Sequence, residues 1–130
     1  MPTNRVQNDF AIQYFDITGK LLRTDVLGVS VFNQYPSGND VLYGNSCMQS
    51  SQYCQVILDG QVLGYPSLPT DAMQTYSIEY MSLLRKYFPP RPLATANALI
   101  IGYEVYSTAR NADVTFDLTN MDLVGNEMVP

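Results

Sequence analysis

Apolar residues recur at alternate positions along much of this chain, the two-residue period of a half-buried strand. From Asp9, the run DFAIQYFDI sets Phe10, Ile12 and Tyr14 on one face, with Ala11, Phe15 and Ile17 on the other. That pattern predicts a strand covered on both sides near its end. Thr18-Gly19-Lys20 then reads as a turn, with Gly19 free to take positive φ. LLRTDVLGVSVF resumes the extended pattern, Val29 and Val31 facing one way and Ser30 and Phe32 the other; Gly28 in its middle predicts a bulge or bend. Residues 33–52 form a long polar loop holding the turn signal Pro36-Ser37-Gly38-Asn39-Asp40, with a short strand expected around 41–43. Loops of that length in small domains tend to carry function.

Further on, Asp59-Gly60 stands between two apolar stretches and predicts a type I′ hairpin joining strands at about 54–58 and 61–65. The period then changes. Met73, Tyr76, Tyr80, Leu84 and Tyr87 fall at three- and four-residue steps, which predicts one helix at about 71–88 with Asp71 at its start and Arg85-Lys86 at its end. Pro89 and Pro90 stop it. NALIIGYEVYST is the strongest strand, β-branched and aromatic on both faces. ARNAD turns the chain, and VTFDLTNMDLV closes it with Val114, Phe116 and Leu118 inward. No repeat of 20–50 residues is visible. Many short strands and one helix predict a mainly β domain, an antiparallel β-sandwich or open barrel with one appended helix. The alternative is an α+β layer, with the helix packed on an antiparallel sheet. Residues 1–8 lack a pattern and read as an N-terminal arm; 9–130 make a single β-rich domain.

Composition changes the picture at the surface. Only seven of 130 residues are Lys or Arg, and charged residues make up 15%, against about 25% in an ordinary soluble domain. Lys20 and Lys86 are the two lysines, while there are ten tyrosines. Interfaces share this bias, depleted in Lys and Glu and enriched in Tyr and Met. The net charge of −5 and a pI near 4.3 argue against a phosphate-neutralising surface. Arg85, Lys86 and Arg91 form the one basic cluster, read as a solvated helix end. No apolar stretch is long enough to span a membrane. MPTNRVQNDF has no apolar signal core, so the expectation is a chain made and used inside a cell. Cys47 and Cys54 suit a small disulfide loop geometrically, yet the default in a reducing cytosol is two free thiols.

The chain has no histidine and no tryptophan. The first absence removes the usual general base and the Ser-His and Cys-His nucleophile pairs. Asp16, Asp25, Glu104 and Asp117 lie in or near strands and are candidates for a carboxylate pair, but solvated surface is the preferred reading of them. The acidic C-terminal set Asp113, Asp117, Asn120, Asp122 and Glu127 offers oxygen ligands without meeting the EF-hand pattern. No catalytic, cofactor-binding or metal site follows.

What remains distinctive is tyrosine. Tyr76, Tyr80 and Tyr87 lie on the helix stripe and belong first to a core. Tyr35, Tyr43, Tyr53 and Tyr65 sit in or beside loops among Ser, Gly and Asn, where rigid rings and adaptable hydrogen bonds suit binding. With Arg5 and Val6 of the arm, they are the candidate interface residues. In composition the chain looks like small structural proteins of virus particles and phage tails. That resemblance implies a non-enzymatic virion subunit, capsid-associated or tail, that contacts copies of itself or other protein subunits and not nucleic acid or membrane. The competing expectation is a cytoplasmic β-rich module that binds carbohydrate or another small ligand.

Overall fold

A computed structural model describes residues 5–33, 38–45, 52–66, 77–92 and 94–108. Its strands are β1 (Arg5–Phe15), β2 (Leu21–Asn33), β3 (Val41–Asn45), β4 (Tyr53–Asp59) and β5 (Ala98–Thr108), with one helix, α1 (Tyr80–Tyr87), before the last strand. They form a single five-stranded sheet in the order β3-β4-β2-β1-β5. Every pairing is antiparallel except β2 with β4, so the sheet is mixed. The mainly β architecture is therefore present, and among the described residues the sheet is not closed.

The β1–β2 connection is made where the sequence places it. Gly19 takes φ 84°, and the Asp16 carboxylate accepts from the Thr18 amide at 2.8 Å, the Thr18 hydroxyl at 2.6 Å and the Lys20 amide at 3.0 Å. These bonds hold the Asp16 carboxyl below its ordinary value. β3 interrupts the polar loop, as its short apolar run predicts. The pairings make β4 and β5 run in the same direction, so the connection between them must cross the sheet past β2 and β1, and it carries α1 over one face.

That face is the core. Phe10, Ile12 and Tyr14 of β1 pack with Leu27 and Val29 of β2, Val56 and Leu58 of β4, and Tyr80, Leu84 and Phe88 from the helical segment. Cross-strand register explains the grouping, since Phe10 is opposite Leu27 and Leu27 is level with Val56. Phe10 and Tyr80 stack with centroids 4.9 Å apart, and Tyr103 meets Tyr80 edge-on at 6.0 Å. Each such buried side chain contributes roughly 1.5–3 kcal/mol.

Several expectations need correction. No hairpin follows Asp59-Gly60: β4 already has β2 on one side and β3 on the other, so residues 61–65 have no edge to join. They coil instead, Leu63 donating to the Asp59 carbonyl at 3.2 Å and Tyr65 to the Gly60 carbonyl at 2.8 Å. Gly28 is not a bulge, because the β1–β2 register runs unbroken from Gln7 to Tyr14 and shifts only at its two ends. The helix begins at Tyr80; Asp71, Met73 and Tyr76 lie outside the described residues. Phe88 ends it in extended geometry, as a residue before proline must. Residues 5–8 are not an arm, since β1 starts at Arg5 and is paired on both sides from there. Finally, Cys54 is disulfide-bonded rather than a free thiol. Cys47 lies outside the described residues. The predicted strand at 114–124 also lies outside them.

Candidate interaction surfaces

Among the described residues, the face away from α1 is buried at Gln7, Asp9, Gly28 and Ile57 and opens towards Ala11, Val26, Gln55 and Tyr53, while β5 ends the strand order. On that face one row crosses all five strands, Tyr43–Ile57–Gly28–Asp9–Glu104, each residue level with the next. Gly28 is where the row closes up. A Cβ there would lie 2.6 Å from Asp9 Oδ1 and 2.9 Å from Gln7 Nε2. The absent side chain gives Gln7 Nε2 room to donate to Asp9 Oδ1 at 2.8 Å. Burial pushes the Asp9 carboxyl above its ordinary value, and the nearby Glu104 charge adds to this against the opposing Gln7 bond and Arg5.

The neighbouring row, Gln55–Val26–Ala11–Gly102, is low because Ala11 and Gly102 have little or no side chain. It forms the floor of an open concavity of about 540 Å³, bordered by Asp9, Glu104, Gln55 and Tyr53. Carboxylates, an amide and a phenol can hydrogen-bond hydroxyls or an amine there. Among the described residues, no group of three or more His, Cys, Asp and Glu could hold a metal ion.

The other carboxylates named from the sequence are elsewhere. Asp16 caps its turn. Asp25 is fully buried against Arg23, Nε to Oδ1 at 2.7 Å and Nη2 to Oδ2 at 2.8 Å. Asp113, Asp117, Asn120, Asp122 and Glu127 lie outside the described residues. Glu104 does meet a second acid, but the partner is Asp9, which alternation alone does not single out from other polar strand positions. Only the β1–β5 register brings the two together.

Of the candidate interface residues, Val6 is 3% exposed and has almost no surface to offer. Arg5 is partly buried at the head of β1, and Tyr65 packs against the core cluster. Tyr43 and Tyr53 are well exposed on the same face. They are not brought together, because Tyr43 is level with Ile57, four positions along β4 from Tyr53. Tyr35 lies outside the described residues. Sequence reasoning missed the apolar edge instead: Leu99, Ile100 and Ile101 are 44%, 56% and 51% exposed on β5. Its signal was the continuous apolar run, which reads equally well as an interior strand until the strand order is known.

Among the described residues, no helix is long and apolar enough to cross a membrane. Comparison with protein families, curated proteins and solved structures finds no match for this chain.

Proposed function

We propose that this chain is a non-enzymatic structural subunit of a symmetric assembly, a capsid-associated or tail component of a virus or phage particle. The observation that carries the reading is the apolar run Leu99, Ile100 and Ile101, half-exposed on β5, which ends the strand order among the described residues. An edge of this kind is normally paired, covered or charged. The scarcity of lysine and the exposed Tyr43 and Tyr53 fit contact with protein, and a net charge of −5 fits neither nucleic acid nor an anionic membrane. The disulfide at Cys54 suits a virion, one of the settings in which such bonds persist. The finer fold expectation, a sandwich or open barrel, goes with this reading, since a second layer would cover the half-buried part of the face at Ala11, Val26 and Gln55.

Light scattering over a wide concentration range tests the proposal, with co-sedimentation against the intact particle. Self-association or particle binding is the expected result. A protein that stays monomeric and binds no particle would overturn it.

A second reading rests on the concavity beside Tyr53, Gln55, Asp9 and Glu104, which fits a module binding carbohydrate or another small ligand. Its test is amide-resonance mapping during titration with mono- and disaccharides. Shifts gathered on residues lining the concavity would favour it over the assembly reading.

A further inference from the structure

Resting on the small-ligand reading of the concavity, we infer that it takes a small hydroxylated amine, an amino sugar in chemical class, with the ammonium held between Asp9 and Glu104. The two carboxylates are directly opposite each other in the β1–β5 register. Side chains so placed have Cβ atoms about 4.5–5.5 Å apart, and like charges there repel. Among the described residues neither acid makes an ion pair, and Arg5 bears on Asp9 more weakly than Glu104 does. Asp9 is the deeper of the two, 9% exposed. Its Oδ1 is occupied by Gln7 Nε2 at 2.8 Å, whereas Oδ2 has no hydrogen-bond partner and is not sealed from solvent. Asp9 borders the concavity, and Oδ2 opens there. Burial and the Glu104 charge both push the Asp9 carboxyl up, and a cation between the two acids would offset their repulsion. A primary ammonium has three donors and can serve both carboxylates at once.

The rest of the concavity fits the body of such a ligand. Gln55 is two strands from Ala11, about 9.5 Å at the spacing of a sheet, and Asp9 lies two residues further along β1. That span suits one sugar ring, with the ammonium at the acids and hydroxyls at the Gln55 amide, which both donates and accepts. Tyr53, 45% exposed, gives the ring an aromatic wall. Over Gly102 the floor is clear, since a Cβ there would meet no described atom within 4 Å. A metal ion fits less well, because among the described residues no third His, Cys, Asp or Glu joins the pair.

Amide-resonance mapping of the full chain at pH 7, with glucosamine, glucose, N-acetylglucosamine and butylamine as probes, tests the inference. Glucosamine should shift residues around the concavity and bind at least tenfold more tightly than either neutral sugar. Butylamine has the charge of a lysine side chain and no hydroxyls, and it should bind at least tenfold more weakly than glucosamine. Equal binding of the two amines would overturn the hydroxylated ligand. Glu104→Gln, at an exposed position, should weaken glucosamine binding at least tenfold while the circular dichroism spectrum stays unchanged. Gly102→Val, which fills the floor, should abolish binding, and it serves should the first variant misfold. Neutral sugars that bind as tightly as glucosamine would overturn the ammonium site and leave the small-ligand reading intact. Glucosamine binding that survives both substitutions would overturn the ammonium site as well. No shift with any of the four probes would remove both.

Discussion

Arg23 grips Asp25 two positions along the same strand, through Nε at 2.7 Å and Nη2 at 2.8 Å, with the Asp25 side chain fully buried. The same guanidinium donates to the Pro89 and Pro90 carbonyls at 3.1 and 3.0 Å and lies 5.7 Å from the Tyr14 ring centroid. One side chain thus balances a buried charge and ties the segment after α1 to the sheet. Arg23→Met leaves Asp25 without its counter-ion and should destabilise the protein by about 3–5 kcal/mol. Arg23→Lys should recover only part of this, because an ammonium cannot supply the fork. Urea titration of both variants checks the order; equal stability of wild type and Arg23→Met would show that the pair contributes nothing.

Gly28 and Asp9 are coupled through space. Gly28→Ala forces a methyl group into Asp9 Oδ1 and Gln7 Nε2, an overpacking that should cost about 1–3 kcal/mol. Asp9→Ala clears the nearest obstacle. A double-mutant cycle should then return a coupling above about 0.5 kcal/mol. Strict additivity would mean that the strands part instead of clashing.

Leu84 is 2% exposed and reaches the sheet between Tyr80 and Phe88. Leu84→Ala should cost about 2–5 kcal/mol. Glu79, at the helix start, makes no capping bond with its side chain, so Glu79→Ala should stay within about 0.5 kcal/mol of wild type. Thermal melts that shift alike for both would place α1 off the core.

Local chemistry was the legible part of the sequence. The turn at Gly19, the alternation of Phe10, Ile12 and Tyr14, and the stop at Pro89 each depend on neighbours a few residues away, and each is found where expected. Strand order depends on distant pairing, and there the reading failed. Asp59-Gly60 carries a hairpin signal, but β2 had already taken the side of β4 that a hairpin would need. Gly28 signalled an irregular strand, while its actual role is to admit Asp9 and Gln7 from the adjacent strand. Val6, in a polar and patternless stretch, is buried because β2 and β5 flank it, which nothing within residues 1–8 reveals. The place of β5 at the end of the described strand order was hidden for the same reason.

Cys54 lies inside the apolar cluster and is disulfide-bonded. With Cys47 the only other cysteine in the chain, a bond between them closes a short loop, for which loop entropy gives roughly 2–3 kcal/mol. Reduction by dithiothreitol should lower the melting temperature accordingly, and Cys54→Ala should be worse, since it also leaves a cavity. Identical melts with and without reductant would mean that the bond does not constrain the unfolded chain.

Asp9 sets a pH dependence opposite in sign to that of most surface carboxylates. Burial raises its pKa, so the folded state holds a proton that the unfolded chain gives up at about 3.9. Between that value and the raised folded value the native state binds more protons, and stability falls as pH increases. Above the folded value the loss is complete and constant. Asp9→Asn keeps an oxygen to accept from Gln7 Nε2 and carries no charge to desolvate. The variant should therefore exceed wild type in urea midpoint at pH 7, and the gap should close as pH falls below about 3.9, where both side chains are neutral. Asp16, whose carboxyl is lowered by its turn, works the other way: its contribution is present above the unfolded value and lost as pH falls through the folded one. Comparing the pH profile of Asp9→Asn with that of wild type subtracts this shared background. A variant less stable than wild type at pH 7, or a gap that does not change with pH, would show that the Asp9 carboxylate is stabilised where it stands rather than penalised by burial.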